Sequence, residues 1–399
     1  MLAKLAGFTH KARRGNTVRG RAKETRRSEC PMTDVGIDIA ACRGRQQRVV
    51  EQMVQHDLDL VVVTQVEHIQ YLAGPRFRWV FQPVAALSRE GRLTLVAPQR
   101  LPEVAAADEV LTYEAQWRST LRNDQRKAST DVLISALASQ PQPRRMGVEF
   151  STFGTYLSSH FEATLFDIEP ALYSLRRRKD PDELALIRKA IAGTGRMYER
   201  AREIIAPGVT ELHVFNELQS AAVEEFGEML TGTGNDYQCG SRGGPPRKGR
   251  SAMAGELYIL DLGPAFRGYF ADNARTIAVA EPTDAQQLAW EFIMRAFEHV
   301  QREVRPGKNA RALFREVRAI LDEAPVGVFD HHLGHGIGLF PHEAPHLNPN
   351  WDDTFQEGET FTVEPGLYAP ELQAGMRIEN DYVVTLDGVE CLTDFPLEL

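Results

Sequence analysis

The sequence predicts two domains, an α/β domain followed by an α+β domain that is built from two related halves. Three observations support this prediction. Helix and strand patterns alternate from about residue 43, a charged joint that contains a proline occupies residues 175–181, and two similar helix pairs follow the joint. The chain has 399 residues, of which 43% are hydrophobic and 25% charged, and this length and composition fit about two globular domains.

In the first domain, residues 32–174, helix patterns alternate with strand patterns. Helical spacing is found at residues 43–56, 128–139 and 153–161, and strand patterns are found at residues 58–64, 110–113 and 146–150. Residues 85–88 and 93–97 flank Glu90-Gly91 and predict a β-hairpin. No group of convergent polar residues stands out in this domain, so we expect it to be a scaffold or to gate the substrate.

The second domain, residues 175–399, contains the two helix pairs. The first pair is predicted at residues 182–205 and from Thr210, with Pro207-Gly208 between the two helices. The second pair is predicted up to residue 304 and at residues 310–322, with Pro306-Gly307 between them. Because each pair leads into strands, the order of elements predicts a duplicated half-domain.

Residues 1–31 differ in charge from the rest of the chain. Residues 1–30 contain nine lysines or arginines and two glutamates, a balance of +7, and since the whole chain carries −9, the remaining residues carry −16. A basic arm of this kind is typical of a nucleic-acid tail or an organelle transit peptide. Arginine-rich termini of low hydrophobicity rarely fold, however, so we expect a disordered extension outside the working protein.

The four cysteines and the apolar runs bear on the compartment. No two cysteines form a close pair, which argues against a disulfide framework and against a cysteine-based zinc site. We therefore expect a reducing compartment and a cytoplasmic protein. The apolar runs are far shorter than the roughly 20 residues that cross a bilayer, so no membrane partner is expected.

Two aspartates flank a predicted hairpin in the second domain. Asp261 lies in an apolar strand at residues 257–263, and Asp272 follows beyond Arg267-Gly268, which can close a turn. Adjacent strands would bring the two carboxylates face to face, and a fold tolerates that repulsion only with a proton or a cation between them. Taken alone, the pattern fits ordinary solvent-facing acids at strand ends at least as well.

Histidine is concentrated in a short glycine-rich stretch. Five of the 11 histidines lie between residues 331 and 346, and His335 stands between Gly334 and Gly336. Glycine allows the backbone to approach a ligand closely, so this cluster predicts a functional site.

Two glutamates follow in strand patterns. Glu364 precedes Pro365-Gly366, and Glu379 shares one face of a strand with Arg377 and Asp381. A salt bridge between Glu379 and Arg377 would explain this one residue but leave the other acids and imidazoles unexplained.

Together, four carboxylates and one imidazole indicate a two-metal site. The residues are Asp261, Asp272, His335, Glu364 and Glu379. Four negative charges match two divalent cations, and oxygen-rich ligation with one histidine favours manganese, cobalt, iron or zinc. A water between two such ions is acidified enough to act as hydroxide at neutral pH, so hydrolysis is the predicted reaction class.

These residues stand in motifs that resemble the pita-bread metallopeptidases, the group that includes prolidase, Xaa-Pro aminopeptidase and methionine aminopeptidase. The matching stretches are Ile259-Leu260-Asp261-Leu262-Gly263, Asp272 with Arg275-Thr276, Gly334-His335-Gly336-Ile337-Gly338 with His342-Glu343-Ala344-Pro345, Val363-Glu364-Pro365-Gly366-Leu367-Tyr368, and Arg377-Ile378-Glu379. The resemblance covers about residues 175–395 and implies a pita-bread catalytic domain with pseudo-twofold duplicated halves. The preceding region resembles the creatinase-type N-terminal domain, above all at Tyr71-Leu72-Ala73-Gly74, and points to the prolidase and Xaa-Pro aminopeptidase branch.

The resemblance also implies which residues bind the metal ions. Asp261 chelates one ion, while Asp272 and Glu379 bridge both. His335 and Glu364 complete the coordination of the other ion. Manganese is the metal we expect first, with cobalt, zinc or iron as alternatives.

Further site residues are implied in the same way. A metal-bridging hydroxide attacks the peptide carbonyl, and Glu364 takes and returns its proton. His342 holds the substrate or stabilises the oxyanion, and His331 lines the substrate pocket. Arg377 orients the carboxylate ligands. The expected substrate is a small peptide with proline, cleaved by a homodimer that needs no nucleic-acid partner.

One departure from the family leaves an alternative open. The relatives usually carry a histidine some way before the first ligand, and residues 237–247 contain none, although Arg242 or Arg247 could occupy its space. An arginine cannot shuttle protons at neutral pH, so a metal-dependent lyase or hydrolase acting on a small non-peptide substrate is the second hypothesis. A binding protein without catalysis is the third, and the complete ligand set argues against it.

Overall fold

The computed structural model describes residues 35–152 and 155–399, and a mixed six-stranded sheet organises the first part of this chain. The strands of this part are β1 (Leu60–Val63), β2 (Val84–Ser88), β3 (Leu93–Pro98), β4 (Glu109–Tyr113), β5 (Gln116–Trp117), β6 (Thr120–Leu121), β7 (Arg145–Val148) and β8 (Thr164–Asp167). Strands β5 and β6 form a separate hairpin, and the others form the sheet in the order β4-β3-β2-β1-β7-β8.

Helices cover both faces of this sheet. They are α1 (Ile39–Gln55), α2 (Val66–Ala73), α3 (Gln125–Leu137), α4 (Thr155–Ser158) and α5 (Glu169–Arg177). Val61 and Val63 pack into a hydrophobic core with α1 and α2, whereas Leu60 and Val62 pack into a second core with α3. Burial on both faces explains why β1 reads as an uninterrupted apolar run.

The predicted elements of this part are present with shifted ends. The hairpin predicted around Glu90-Gly91 is confirmed by the antiparallel pair β2 and β3. Helix α1 begins four residues before the predicted start, because the side chain of Asp38 accepts a hydrogen bond from the N–H of Ala40 at 2.8 Å. The helix predicted at residues 153–161 is the short α4, and residues 153–154 lie outside the described residues.

Two helix pairs, two larger sheets and two short two-stranded sheets make up the rest of the described residues. The helices are α6 (Pro181–Ile204), α7 (Glu211–Phe226), α8 (Asp284–Glu303) and α9 (Ala310–Leu321), with a 3₁₀ turn at Pro370–Leu372. The strands are β9 (Asp236–Cys239), β10 (Leu257–Leu262), β11 (Ala265–Phe266), β12 (Tyr269–Phe270), β13 (Asn273–Ala278), β14 (Gly334–Gly336), β15 (Glu343–Leu347), β16 (Thr360–Val363), β17 (Gly366–Leu367), β18 (Met376–Arg377), β19 (Asn380–Val384) and β20 (Val389–Cys391).

Each helix pair shares a core with its own sheet. Helices α6 and α7 pack with the sheet β13-β10-β9, and α8 and α9 pack with the sheet β15-β14-β16-β19-β20. The start of α8 is fixed by a reciprocal cap, in which the backbone N–H of Thr283 donates to the Gln286 side chain and the Thr283 hydroxyl accepts from the Gln286 N–H. The two helix-and-sheet units confirm the predicted duplicated halves.

The segment before β19 joins the two sheets. The N–H of Glu379 donates to the carbonyl of Ala274 at 2.9 Å, and the guanidinium of Arg275 donates to the carbonyl of Glu379 at 2.6 Å. The Thr276 hydroxyl donates to the carbonyl of Arg377 at 2.9 Å and accepts from its N–H at 3.0 Å. The side chains of residues 377 and 379 are thereby held beside β10 and β13.

The predicted start of the catalytic domain at residue 175 falls within α5 (Glu169–Arg177), and the domain boundaries remain a prediction. The expected extension, residues 1–31, lies outside the described residues. Within residues 35–152 and 155–399, no helix is both long enough and apolar enough to cross a bilayer.

Candidate metal centre

Asp261 lies in strand β10, and Asp272 immediately precedes β13. Asp261 is the fifth residue of the buried strand β10 and lies opposite Ala274 of β13, so Asp272 is offset from it by two residues along the ladder. The carboxylates still converge: ligand atoms of Asp261, Asp272 and Glu379 lie within 4.8 Å of one another. The predicted meeting of the two aspartates is therefore diagonal across the strands.

Strand β14 carries His335 between Gly334 and Gly336. Steric crowding explains why both of these positions are glycine. A Cβ atom at Gly334 would overlap the carbonyl of Thr362, and one at Gly336 would overlap the carbonyl of Ala344. The Nδ1–H of His335 donates to the carbonyl of Gly336 at 3.0 Å, because a carbonyl oxygen can only accept. The Nε2 atom is left free to act as a ligand.

The free Nε2 atom of His335 faces two carboxylates. It lies 3.6 Å from Oδ2 of Asp272 and 3.7 Å from Oε1 of Glu364. These separations are too long for hydrogen bonds, but they suit atoms that each lie about 2.1 Å from a common ion. His335, Glu364 and Glu379 form a second group whose ligand atoms lie within 4.8 Å of one another.

Glu364 and Glu379 are buried, and each has a side-chain oxygen that accepts no hydrogen bond from a described residue. Among the described residues, neither Oε1 of Glu364 nor Oε2 of Glu379 has a hydrogen-bond partner. Buried carboxylate oxygens are costly when they are left unpaired. A cation would remove this cost, so the two glutamates fit metal ligation.

The pKa values of the acids point the same way. Burial raises the pKa of Asp272 well above its usual range, and repulsion from Asp261 and Glu364 raises it further. Burial and repulsion among the acids also raise the pKa values of Glu364 and Glu379. Such a group binds protons or cations, and its hard oxygen ligands with one imidazole fit divalent ions of the manganese, iron, cobalt and zinc class.

Arg377 neutralises the acids from one side. Its guanidinium donates to Oδ2 of Asp261 at 2.8 Å and to Oδ2 of Asp236. Burial alone would lower the pKa of Arg377, but Asp261, Tyr368 and Asp236 raise it well above its usual value. The acidic partners of the Arg377 guanidinium among the described residues are thus Asp261 and Asp236, and it also donates to the Tyr368 hydroxyl at 3.2 Å. The alternative salt bridge from Arg377 to Glu379 is not formed.

Asp236 was missed in the sequence. It begins β9, lies opposite Asp261 in the ladder and accepts a hydrogen bond from the N–H of Gly244 at 2.6 Å. The short run Tyr237–Cys239 predicts at most a strand, and nothing in the sequence says that this strand pairs with β10. The contact with Arg377 therefore depends on tertiary pairing.

His331 has both ring nitrogens engaged. Its Nδ1–H donates to the carbonyl of His332 at 2.7 Å, and its Nε2 accepts from the Tyr368 hydroxyl at 3.0 Å. Burial, together with Arg377 and His332, lowers its pKa to about 4. His331 lies in the cavity wall as a neutral ring that orients Tyr368, and its contact with a substrate remains a prediction.

His332 and His342 lie beside the predicted metal ligands. The His342 ring stacks on His335 with 3.7 Å between ring centres and 12° between planes. Nδ1 of His332, which sequence reasoning did not single out, lies 3.2 Å from Oε1 of Glu364. Burial lowers the pKa values of His332 and His342, which favours the neutral form of both rings.

The two candidate arginines differ in position. Arg242 lines the cavity, pairs with Asp330 at 3.0 Å and lies 4.0 Å above the Tyr368 ring. Arg247 instead donates to Glu211 and to the carbonyl of Cys239, away from the cavity. Of these two arginines, only Arg242 lines the cavity.

A cavity of about 310 Å³ opens onto the ligand atoms, a volume that suits a small substrate. Its lining consists of Asn235, Asp236, Arg242, Asp261, Asp272, His331, His332, His335, His342, Glu364, Tyr368, Arg377 and Glu379. All five predicted metal ligands and all of the predicted catalytic and orienting residues therefore meet in one cavity.

Comparison with known proteins shows which families the chain resembles. Residues 185–386 match the model of metallopeptidase family M24, and residues 45–178 match that of the creatinase/prolidase N-terminal domain. An uncharacterized peptidase of Staphylococcus epidermidis is 30% identical over 234 residues, which cover 57% of this chain and 66% of that protein. A protein named Xaa-Pro dipeptidase from Lactobacillus delbrueckii subsp. lactis is 33% identical over 237 residues, which cover 58% of this chain and 64% of that protein. The matched region is thus slightly less than two thirds of these relatives.

Solved structures show the same fold over most of the chain. A structure titled Xaa-Pro dipeptidase from Bacillus anthracis matches with a TM-score of 0.76 and 25% identity, and the match covers 90% of this chain and 99% of that one. An X-Pro aminopeptidase from Thermotoga maritima matches with a TM-score of 0.76 and 23% identity, covering 89% and 99%.

Proposed function

The chain belongs to metallopeptidase family M24, and from this premise we propose that it is a two-metal hydrolase that cleaves the peptide bond of small Xaa-Pro substrates. One observation carries the proposal. The ligand atoms form two groups, one of Asp261, Asp272 and Glu379 and one of His335, Glu364 and Glu379, and Glu379 belongs to both. A carboxylate shared between two groups is the arrangement that two bridged cations require.

Two divalent cations at these groups would supply an acidified water and polarise the scissile carbonyl. The residues of the chain do the rest. Glu364, whose Oε1 has no hydrogen-bond partner among the described residues, accepts a proton and returns it to the leaving amine. His342, at the exposed side of His335, contacts the substrate and stabilises the oxyanion. Arg377 keeps Asp261 ionised and oriented.

Several finer expectations belong to the same proposal. Manganese is the metal expected first, with cobalt, iron and zinc as alternatives, because the oxygen-rich ligand set does not select strongly among them. The cavity of about 310 Å³ supports a short peptide substrate. The homodimer, the cytoplasmic location and the choice between dipeptidase and aminopeptidase remain predictions.

A second candidate is a metal-dependent lyase or hydrolase that acts on a small non-peptide substrate. The observation that favours it is that residues 237–247 contain no histidine and that Arg242 of this segment, paired with Asp330, lines the cavity. A guanidinium can bind an anionic substrate but cannot protonate a leaving amine. This candidate needs no general acid at that position.

A substrate panel distinguishes the two candidates. The full chain is loaded in turn with manganese, cobalt, iron and zinc and assayed with Xaa-Pro dipeptides, longer Xaa-Pro peptides and sulfonium compounds. We expect hydrolysis of Xaa-Pro peptides, its loss in Asp272→Asn and its retention in Asp322→Asn, the same change at the exposed end of α9. Turnover of sulfonium compounds without peptide cleavage would favour the second candidate.

A further inference from the structure

Glu343 is a buried carboxylate beside His342 that the proposed reaction does not use. Its side chain is 7% exposed. It accepts hydrogen bonds from the guanidinium of Arg176, from Nζ of Lys179 at 3.2 Å and from the backbone N–H of Phe340 at 3.1 Å. Moving this carboxylate would leave two buried cations without their partner, so its position is fixed strongly.

Both cations come from the joint between the domains. Arg176 lies in the last turn of α5 and Lys179 lies just before α6, and their side chains are 2% and 1% exposed. The neighbouring Arg177 points elsewhere and contacts Glu359 at 2.6 Å. The joint therefore contributes the side chains of Arg176 and Lys179 to the segment that carries His342.

Gly338 makes room for this group of charges. A Cβ atom there would lie 2.9 Å and 3.0 Å from the carboxylate oxygens of Glu343 and 3.0 Å from Cε of Lys179. These separations are below ordinary van der Waals contact, so a side chain at residue 338 would displace the carboxylate. Gly338 is therefore required for the ion pair between Glu343 and Lys179 to form as observed.

The first domain holds Phe340 from the other side. The Arg176 guanidinium lies 4.3 Å from the centre of the Phe340 ring, and the rings of His68 and Tyr173 each lie 6.3 Å from it. His68 is itself fixed by a buried contact of 2.7 Å with Glu149. Residues 338–343 are therefore held between the joint and the N-terminal domain.

The anchored segment leads directly to the metal centre. Glu343 pairs with Gly336 in the ladder of β14 and β15, one residue after His335. His342 precedes Glu343 and stacks on the His335 ring at 3.7 Å. A displacement of Glu343 would shift His342 relative to the ligand on which it stacks.

We propose that Glu343 is a positioning residue for His342, and that Arg176 and Lys179 hold it so that the joint between the domains sets the geometry of the substrate step. Only the kinetic test of this proposal depends on the proposed hydrolysis of Xaa-Pro peptides. Glu343 does not touch the metal ligands in the described contacts, so metal content is expected to stay the same when it is changed.

The first test does not depend on turnover. Imidazole NMR resonances are compared between the wild-type chain and Glu343→Gln, and the His342 signal is assigned by its loss in His342→Asn. We expect the His342 resonance to shift or broaden in Glu343→Gln while the signal of the exposed His213 on α7 stays in place. An unchanged His342 resonance overturns the proposal, whether or not the chain cleaves Xaa-Pro peptides.

The second test is a double-mutant cycle with an Xaa-Pro dipeptide. We expect Glu343→Gln to lower kcat about tenfold to a hundredfold at unchanged metal content, the effect of a small misplacement in an active site. In the His342→Asn background the same change should cost almost nothing further, since the two residues act as a unit. Equal losses in both backgrounds indicate a merely structural role and overturn the proposal.

A milder variant protects the test against misfolding. Lys179→Met removes one cation but keeps the Arg176 contact with Glu343, so we expect a smaller loss of kcat in the same direction, again absent in the His342→Asn background. The matched control is Lys189→Met on α6, whose Nζ pairs with Glu225 at 2.7 Å outside the cavity. If Lys179→Met and Lys189→Met behave alike, the proposal is overturned.

Discussion

Asp236 and Asp261 lie directly opposite each other on β9 and β10, and the guanidinium of Arg377 contacts both carboxylates. Two partly buried acids at opposed ladder positions repel, and a cation between them removes the repulsion. Because Arg377 is shared, its position depends on Asp236 as well as on the predicted metal ligand Asp261. Asp236 is therefore expected to influence the metal centre without binding the metal.

Asp236→Asn should weaken the site without unfolding the chain. Without the Asp236 anion, the guanidinium of Arg377 can shift toward Asp261. It then competes with the metal for the Asp261 carboxylate. We expect a tenfold to hundredfold lower metal affinity or kcat/KM, the usual cost of changing a residue behind a metal ligand. Metal titration with activity measurement checks this. Asp108→Asn, which changes a partly exposed pair with Arg43, is the control, and an equal loss there would contradict the expectation.

Arg242→Ala should impair substrate binding, whereas Arg247→Ala should lower stability. Arg242 lines the cavity, so its loss should raise KM for an anionic substrate about tenfold, in line with about 1.5 kcal/mol for a hydrogen bond to a charged group. Arg247→Ala leaves the buried carboxylate of Glu211 short of a partner and should lower Tm with unchanged kcat/KM. Steady-state kinetics and thermal unfolding check both. A change of kcat/KM in Arg247→Ala would contradict this division.

Metal binding should release protons. Burial and mutual repulsion raise the pKa values of Asp272, Glu364 and Glu379, whereas a cation binds their ionised forms. In the metal-free chain, groups with raised pKa values stabilise the fold at low pH, and this contribution is lost as the pH rises through those raised values. Manganese should therefore raise Tm more at about pH 8 than at about pH 6. Calorimetry in two buffers of different protonation enthalpy measures the release, and equal apparent enthalpies would rule it out.

Glu343 should make stability depend on pH in the opposite direction. Burial alone would raise its pKa, but Arg176 and Lys179 lower it to about 2. Ionised Glu343 therefore stabilises the fold above its ordinary value of 4.5, and this stabilisation is lost as the pH falls toward about 2. In urea unfolding of metal-free protein, the gap in free energy between the wild type and Glu343→Gln should shrink from about pH 6 to about pH 3.5. Glu357→Gln, which changes an exposed glutamate, is the control, and an equal shrinkage there would contradict the expectation.

Much of the fold could be predicted because its signals are local. The hairpin of β2 and β3 follows from Glu90-Gly91 between apolar runs, and α8 follows from the Thr283 cap. Helix α1 begins earlier than predicted because a capping bond, rather than hydrophobic spacing, sets its start. The joint was predicted from charge, but its role was not, because the contacts of Arg176 and Lys179 with Glu343 span more than 160 residues.

The residues of the candidate site also fall into two classes, those that local motifs identify and those whose roles depend on tertiary pairing. Asp261, His335 and Glu364 stand in motifs that a resemblance can identify, and the structure brings them together with Asp272 and Glu379 in one cavity. The roles of Asp236 and His332 escaped prediction, because they depend on which strand pairs with β10 and on which way a loop imidazole turns. No local pattern encodes either.

The most direct test of the two-metal hydrolase is to titrate metal-free protein with manganese and measure hydrolysis of an Xaa-Pro dipeptide after each addition. We predict that activity rises until about two equivalents per chain are bound and that Asp272→Asn stays inactive at the same loading. No hydrolysis at any loading, or full activity in the chelator-treated chain, would contradict the central claim.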